Sequence, residues 1–281
     1  MGDVQTNGEL EEDLYGLFHE IRHLKNSSNY LEYLNFICRF KKYSAFNVSL
    51  VYAQKPNTKY FATKTHWEEE FDRRVKADAR PLVMLRPGGP IMFVYDITDT
   101  VGEEKLVPEE IKEPFKVSGT VNPTIISGFK EHLVENRIDS RELSEPMQHG
   151  GRVRRLSSNA YNEGRRFSIT LNKRQSDKVN LQTLIHELSH IFCGHLRSLE
   201  DEKWPHRPSV SDESAEFEAE SVGYLVCKRL GLLTSSDHYL AGYLEGQEKI
   251  PEISIQAVIR SVEWIEKLIK GHTVKLYKKE N

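Results

Sequence analysis

Hydrophobic residues recur at helical spacing along several stretches of the chain. The most regular run passes through Leu181, Leu184, Ile185, Leu188, Ile191 and Phe192, a stripe that predicts an amphipathic helix packed on a core. Asp177 or Asn180 is positioned to cap its start and Gly194 to end it. Upstream, Phe167-Ser168-Ile169-Thr170-Leu171 alternates apolar and polar positions and predicts a strand, taken as an edge strand beside this helix. Helices are also expected over residues 9–24, 30–40, 125–135, 211–224 and 253–269, with a short helical piece at 239–244. Two strands, residues 81–85 and 91–95, flank the turn signal Arg86-Pro87-Gly88-Gly89-Pro90. Residues 100–123 are charged and contain Pro108, Pro114 and Pro123, which places a domain boundary there. The expectation is an α+β protein of two domains, residues 1–120 and 121–281, without internal repeats.

The central helix carries His186-Glu187-Leu188-Ser189-His190. Histidines four residues apart lie one above the other on a helix face, so both rings can meet one zinc ion. The intervening Glu187 is placed to act as general base on a water completing the coordination shell. A core helix with two incidental histidines is the competing reading of so short a motif.

A third ligand is expected downstream, on the helix opened by Ser211-Asp212-Glu213 and continued by Glu216-Phe217-Glu218-Ala219-Glu220. Ala215, Ala219, Val222, Gly223 and Val226 form its small, close-packing face. Glu216 and Glu220 flank that face one turn apart, whereas Glu218 is expected to point the other way. Glu216 is the favoured ligand and Glu220 the carboxylate orienting a ligand histidine, with Glu213 and Glu220 as rivals for the ligand role. A third histidine at the H-E-x-x-H-x-x-G-x-x-H spacing is absent, since Cys193 and Leu196 stand at the required Gly and His positions. His195 is therefore expected at a helix end or in the cleft.

Charge and cysteine content narrow the setting. Over 281 residues the formal net charge is −3, so attraction to nucleic acid or membrane has to be local. No apolar run approaches the ~20 residues that span a bilayer. The first residues are polar and acidic, unlike a secretory leader. Cys38, Cys193 and Cys227 contain no C-x-x-C pair and suit buried thiols in a cytoplasmic protein.

Thr183-Leu184-Ile185-His186-Glu187-Leu188-Ser189-His190, with Gly194-His195-Leu196 and then Glu216-Phe217-Glu218-Ala219-Glu220-Ser221-Val222, resembles the ImmA/IrrE family of zinc metallopeptidases over residues 150–245. That resemblance implies a zincin-like domain with one zinc held by His186, His190 and Glu216. In the N-terminal half, Tyr43-Ser44-Ala45-Phe46-Asn47, Ala53-Gln54-Lys55-Pro56, Thr65-His66-Trp67 and Phe93-Val94-Tyr95-Asp96-Ile97-Thr98-Asp99-Thr100 resemble the N-terminal domain of ArdC-type antirestriction proteins. It departs from that pattern at Glu68-Glu69-Glu70, which follows the tryptophan. This second resemblance implies single-stranded-DNA binding. Lys41, Lys42, Lys59, Arg74 and other cations, interleaved with Tyr43, Phe46, Tyr52, Tyr60, Phe61 and Trp67, offer phosphate contacts and stacking surfaces for it.

These features predict a zinc endopeptidase acting on a specific protein substrate, a regulator or defence-related factor. The alternative is an antirestriction-like DNA-binding protein whose zinc site is structural. Tyr224, His195, His206 and Arg155 are candidate donors to the oxyanion. Arg152, Arg154, Arg155, Arg165 and Arg166 flank the strand region and could favour acidic peptides. Trp204-Pro205-His206-Arg207-Pro208 could wall or cover the cleft.

Overall fold

A computed structural model of the chain describes residues 27–86, 89–103, 123–144, 150–156, 165–196, 204–232 and 249–272, with Leu24, Leu240 and Val274 as single positions. The helix expected at 9–24 and the piece at 239–244 lie outside these residues, apart from Leu24 and Leu240. The protein is mixed α+β, and it divides into two compact units at residues 116–117, with residues 25–28 grouped in the second. Among the described residues, no helix is long and apolar enough to cross a membrane.

In the N-terminal unit, α1 (Ser27–Arg39) and α2 (Ala45–Gln54) precede β1 (Phe61–Ala62), α3 (Lys64–Phe71), β2 (Arg74–Val75), β3 (Leu82–Arg86), β4 (Gly89–Asp96) and β5 (Thr100–Val101). The strands form an antiparallel sheet of order β1-β4-β3 and a separate β2-β5 pair. Its outer strand, β3, is closed off by side chains rather than by another strand. The amide of Asn47 both donates to and accepts from the backbone of Leu85, and Gln54 does the same at Val83, all at 2.8–2.9 Å. An open edge is a template for unwanted pairing, and these two amides remove it at two positions.

The residues that carry the N-terminal resemblance serve this scaffold. Ser44 and Thr63 cap α2 and α3, and Trp67 is buried with its indole N–H on the Tyr95 carbonyl. Asp96, fully buried, accepts from the backbone of Lys59 and Thr98. Tyr52, Tyr60, Phe61 and Trp67 are core side chains, so the stacking role expected of them is corrected. Arg73 is likewise buried, against Thr100. An aromatic that fills a core cannot also present its face to a base.

The C-terminal unit runs α4 (Pro123–Glu135), β6 (Ile138–Leu143), β7 (Gly151–Arg155), β8 (Phe167–Asn172), α5 (Asp177–Cys193), α6 (Asp212–Arg229) and α7 (Ile255–Ile269). Its sheet has the order β6-β8-β7, with β8 parallel to β6 and antiparallel to β7. The strand expected at the edge is therefore central: Phe167, Ser168, Ile169, Thr170 and Leu171 are all buried. The outer strands are β6 and β7, and it is β7, Gly151–Arg155, that borders α5. Its Gly-Arg-Val-Arg-Arg sequence alternates only from Gly151 to Arg154 around one apolar side chain, Val153, too little to mark a strand by pattern.

Helix α5 lies between the sheet and the other helices, packing on α6, α7, β7 and β8. Every residue of its predicted stripe is at most 1% exposed, each such burial contributing about 1.5–3 kcal/mol relative to exposure. The cap is Ser176, whose hydroxyl accepts from Val179 N–H, rather than Asp177 or Asn180. Asp177 is in the first helical turn and Asn180 is buried inside the helix. Cys193 meets Ser261 of α7 at 3.2 Å, and the buried Arg229 of α6 pairs with Glu266 of α7 at 2.6 Å. All three cysteines are free and buried.

Candidate metal centre

Two helices build the site. His186 and His190 face α6 from α5, and Glu216 and Glu220 meet them from the first half of α6. Helix α6 begins at the Ser211 cap. The Nε2 atoms of His186 and His190 are 3.2 Å apart, and each is 3.5 Å from a carboxylate oxygen of Glu216. Nitrogen and oxygen donors bound at 2.0–2.1 Å to a tetrahedral ion lie roughly 3.3 Å from one another. The three side chains thus have the mutual spacing of a zinc donor set before any ion is considered. Glu213 is exposed in the first turn of α6, and Glu216 is the carboxylate grouped with the two histidines.

The remaining histidine nitrogens are occupied as well. Glu220 Oε1 lies 3.2 Å from Nδ1 of His186. Nδ1 of His190 lies 3.0 Å from Nδ1 of His195, whose Nε2 is 2.8 Å from Glu218. Glu218 is fully buried, which corrects the expectation that it points away from the helix's packed face. Arg207 grips both its oxygens at 2.5 and 2.8 Å, and Ser254 N–H donates at 2.6 Å. Burial by itself raises the Glu218 carboxyl, but the bonds from His195, Arg207 and Ser254 hold it below its ordinary value.

Cys193, His195 and Glu218 also come close together, but they do not make a second metal site. Burial pushes the Cys193 thiol up to about 12, so it remains protonated. The oxygens of Glu218 are taken by Arg207, His195 and the Ser254 amide.

Glu187 is 8% exposed, on the turn that carries His186. Strand β7 passes close by: a Cβ on Gly151 would collide with Cγ2 of Thr183 and stand 3.4 Å from Oε1 of Glu187. Only glycine lets the outer strand run this close to α5 beside the carboxylate. Gly194 is needed for a second reason. It ends α5 at φ +83, and a Cβ there would meet Pro205 and His206 backbone at 3.0–3.1 Å.

That contact belongs to the Trp204–Pro208 segment, expected as a wall or lid and found as a strap. Trp204 is buried against Phe167 and Phe192, Arg207 N–H donates to the Gly194 carbonyl, and the Arg207 side chain holds Glu218. Of the expected oxyanion donors, His195 stands behind His190 with both ring nitrogens engaged. Tyr224 is buried two turns along α6 from Glu216 with Lys228 over its ring, His206 is exposed on the strap, and Arg155 is exposed at the end of β7.

The network around Glu218 escaped the sequence reading, although a signal for it exists. Phe217, Ser221, Val222 and Leu225 define the buried stripe of α6 and place Glu218 inside it. A carboxylate in an apolar stripe demands a cationic partner, and Arg207 is that partner. Removing it by Arg207→Ala leaves the buried carboxylate without its guanidinium, held only by His195 and the Ser254 amide, and should cost about 3 kcal/mol of stability, measurable by urea unfolding.

The histidines differ in charge before metal arrives. Burial opposes a charge on His186, but the hydrogen-bonded Glu216 and Glu220 outweigh it and raise His186 to about 10. Burial and the neighbouring charged His186 lower His190 to about 4. The metal-free site at neutral pH is thus an imidazolium held by two carboxylates, with a neutral His190 beside it. In the metal-free protein this contributes stability that is complete below the ordinary 6.5 of histidine and is lost as pH rises through about 10. Zinc must displace that proton. Between about 4 and about 10, zinc uptake should release about one proton, and affinity should fall about tenfold per pH unit on acidification. Calorimetry in buffers of different ionisation enthalpy reads the proton count, and a pH-independent affinity would contradict it.

Comparison with known protein families, characterised proteins and solved structures gave no match.

Proposed function

We propose that the C-terminal unit is a zincin-like, zinc-dependent endopeptidase acting on a protein substrate. The observation that carries this reading is the 3.2–3.5 Å spacing of the His186, His190 and Glu216 donor atoms, with Glu187 on the same helix turn. The donor set of two imidazoles and one carboxylate suits zinc and leaves one position for water. Bound there, zinc supplies a lowered pKa for that water and polarisation of the substrate carbonyl.

The chain's own residues do the rest. Glu187 takes the proton of the attacking water and passes it to the departing amine. Glu220 and His195 orient the two ligand rings through their second nitrogens. Because His195 is committed to His190 and Glu218, stabilisation of the oxyanion falls to Arg155, Tyr224 or His206. The resemblance to ImmA/IrrE peptidases points to a regulatory or defence-related protein as substrate.

The test is cleavage of a proteome-derived peptide library by the zinc-loaded full chain, with products identified by mass spectrometry. New cleavage sites that vanish on chelation and in Glu187→Gln support the peptidase. A library left intact by zinc-loaded protein, or cut equally by Glu187→Gln, refutes it.

A further inference from the structure

With His195 neutral, the bonds behind His190 have a single consistent direction. Glu218, gripped by Arg207 and the Ser254 amide, is ionised and therefore can only accept. The His195 nitrogen 2.8 Å away, Nε2, must then carry a proton. A neutral His195 with its proton on Nε2 presents a lone pair on Nδ1, 3.0 Å from Nδ1 of His190. That lone pair requires His190 to carry its own proton on Nδ1. Nε2 of His190 is then unprotonated, with its lone pair toward His186 and Glu216.

We propose that His195 and Glu218 are positioning residues that lock His190 in its metal-accepting tautomer, through the chain Glu218, His195 Nε2–H, His195 Nδ1, His190 Nδ1–H. The proposal rests on the zinc-site reading above and adds the device that prepares one of its ligands. His190 has two neutral tautomers, and only one leaves Nε2 open. With no acceptor at Nδ1, part of the population holds its proton where the metal belongs.

The two ligand histidines are thereby prepared differently. His186 is oriented directly by a carboxylate, Glu220, which is about one-fifth exposed. His190 is oriented through an intervening ring by a carboxylate with no exposure at all. The strap residue Arg207 and the Gly194 turn that admits the strap serve the same end, since they hold Glu218 ionised at the far end of the chain.

Two measurements test this. In the metal-free wild-type chain, long-range 1H–15N correlation of labelled histidines reads tautomers directly. His195 should be protonated on Nε2 and His190 on Nδ1, and a proton on Nδ1 of His195 overturns the proposal. Zinc affinity by chelator competition is the second. His195→Phe keeps a ring but removes the acceptor, and should weaken zinc about 10- to 100-fold. His195→Asn places an amide oxygen where Nδ1 stood and should recover most of that loss. A merely structural role would instead lower the thermal stability of both metal-free variants alike while leaving zinc affinity equal. His195→Phe binding zinc as tightly as wild type refutes the relay and leaves the metal centre standing. Wild type failing to bind zinc refutes both. If His195→Phe does not fold, the wild-type tautomers decide.

Discussion

Glu187→Gln should abolish peptide hydrolysis while leaving zinc in place. The substitution keeps the size and polarity of the side chain and removes only its capacity to take a proton. General-base assistance is worth about 10²–10⁴ in rate, so cleavage should fall by at least two orders of magnitude. Zinc content should match wild type, because the donor atoms come from His186, His190 and Glu216. Glu187 is nearly buried beside the close approach of Gly151, and glutamine fits the same space, so folding should survive. Measured together, rate and zinc content separate the two function classes. If a biological effect of the protein persists undiminished in Glu187→Gln, the antirestriction-like reading with a structural zinc site gains and the peptidase loses.

The second large effect is expected at α6, where three acidic residues are rivals in sequence but not in space. Glu216→Ala removes a donor spaced for direct ligation. Zinc binding worth roughly 10–16 kcal/mol in four-ligand sites implies about 3 kcal/mol per ligand, or about two orders of magnitude in affinity. Glu220→Ala removes only the partner of His186 Nδ1 and should cost about 10- to 100-fold. Glu213→Ala, in the exposed first turn, should leave affinity unchanged. Chelator competition across the three variants gives the ranking. Equal losses for Glu213 and Glu216 would mean that the donor set is wrong.

The parts of the candidate metal centre are supported unequally. The ligand-bearing face of α5 is held by a fully buried stripe, and the start of α6 by the Ser211 cap with Asp212 and Glu213 in the favourable first turn. Strand β7 approaches Glu187, the proposed general base, only because residue 151 is glycine. In the N-terminal unit, Tyr52, Tyr60, Phe61 and Trp67, expected to stack on bases, hold the core instead, while Tyr43 and Phe46 are half-buried. Of the expected DNA-binding cations, Lys41, Lys42, Lys59, Arg74 and Arg86 are exposed.

The sequence by itself determined what depends on spacing within one element. The period of Leu181, Leu184, Leu188 and Ile191 required α5, and four-residue spacing put His186 and His190 on one face. Ser211 and Gly194 marked a start and a stop, because caps are local chemistry. It also favoured Glu216 as the third ligand, with Glu213 and Glu220 as rivals. That Glu216 stands beside both histidines depends on the approach of α6 to α5, which no spacing along the chain encodes.

The same holds for the pairs that join distant segments. Arg207 and Glu218, His195 and His190, and Asn47 and Leu85 meet because helices, strap and sheet pack as they do. Strand β8 looked like an edge because one strand's pattern cannot reveal neighbours on both sides. Strand β7 was invisible, since Val153 is its one large apolar residue and its pairing lies entirely with β8. Local periodicity and capping were thus written in the sequence. Which ring nitrogens of His186 and His190 face Glu216, and which carboxylate stands behind each ring, was decided by tertiary contact alone.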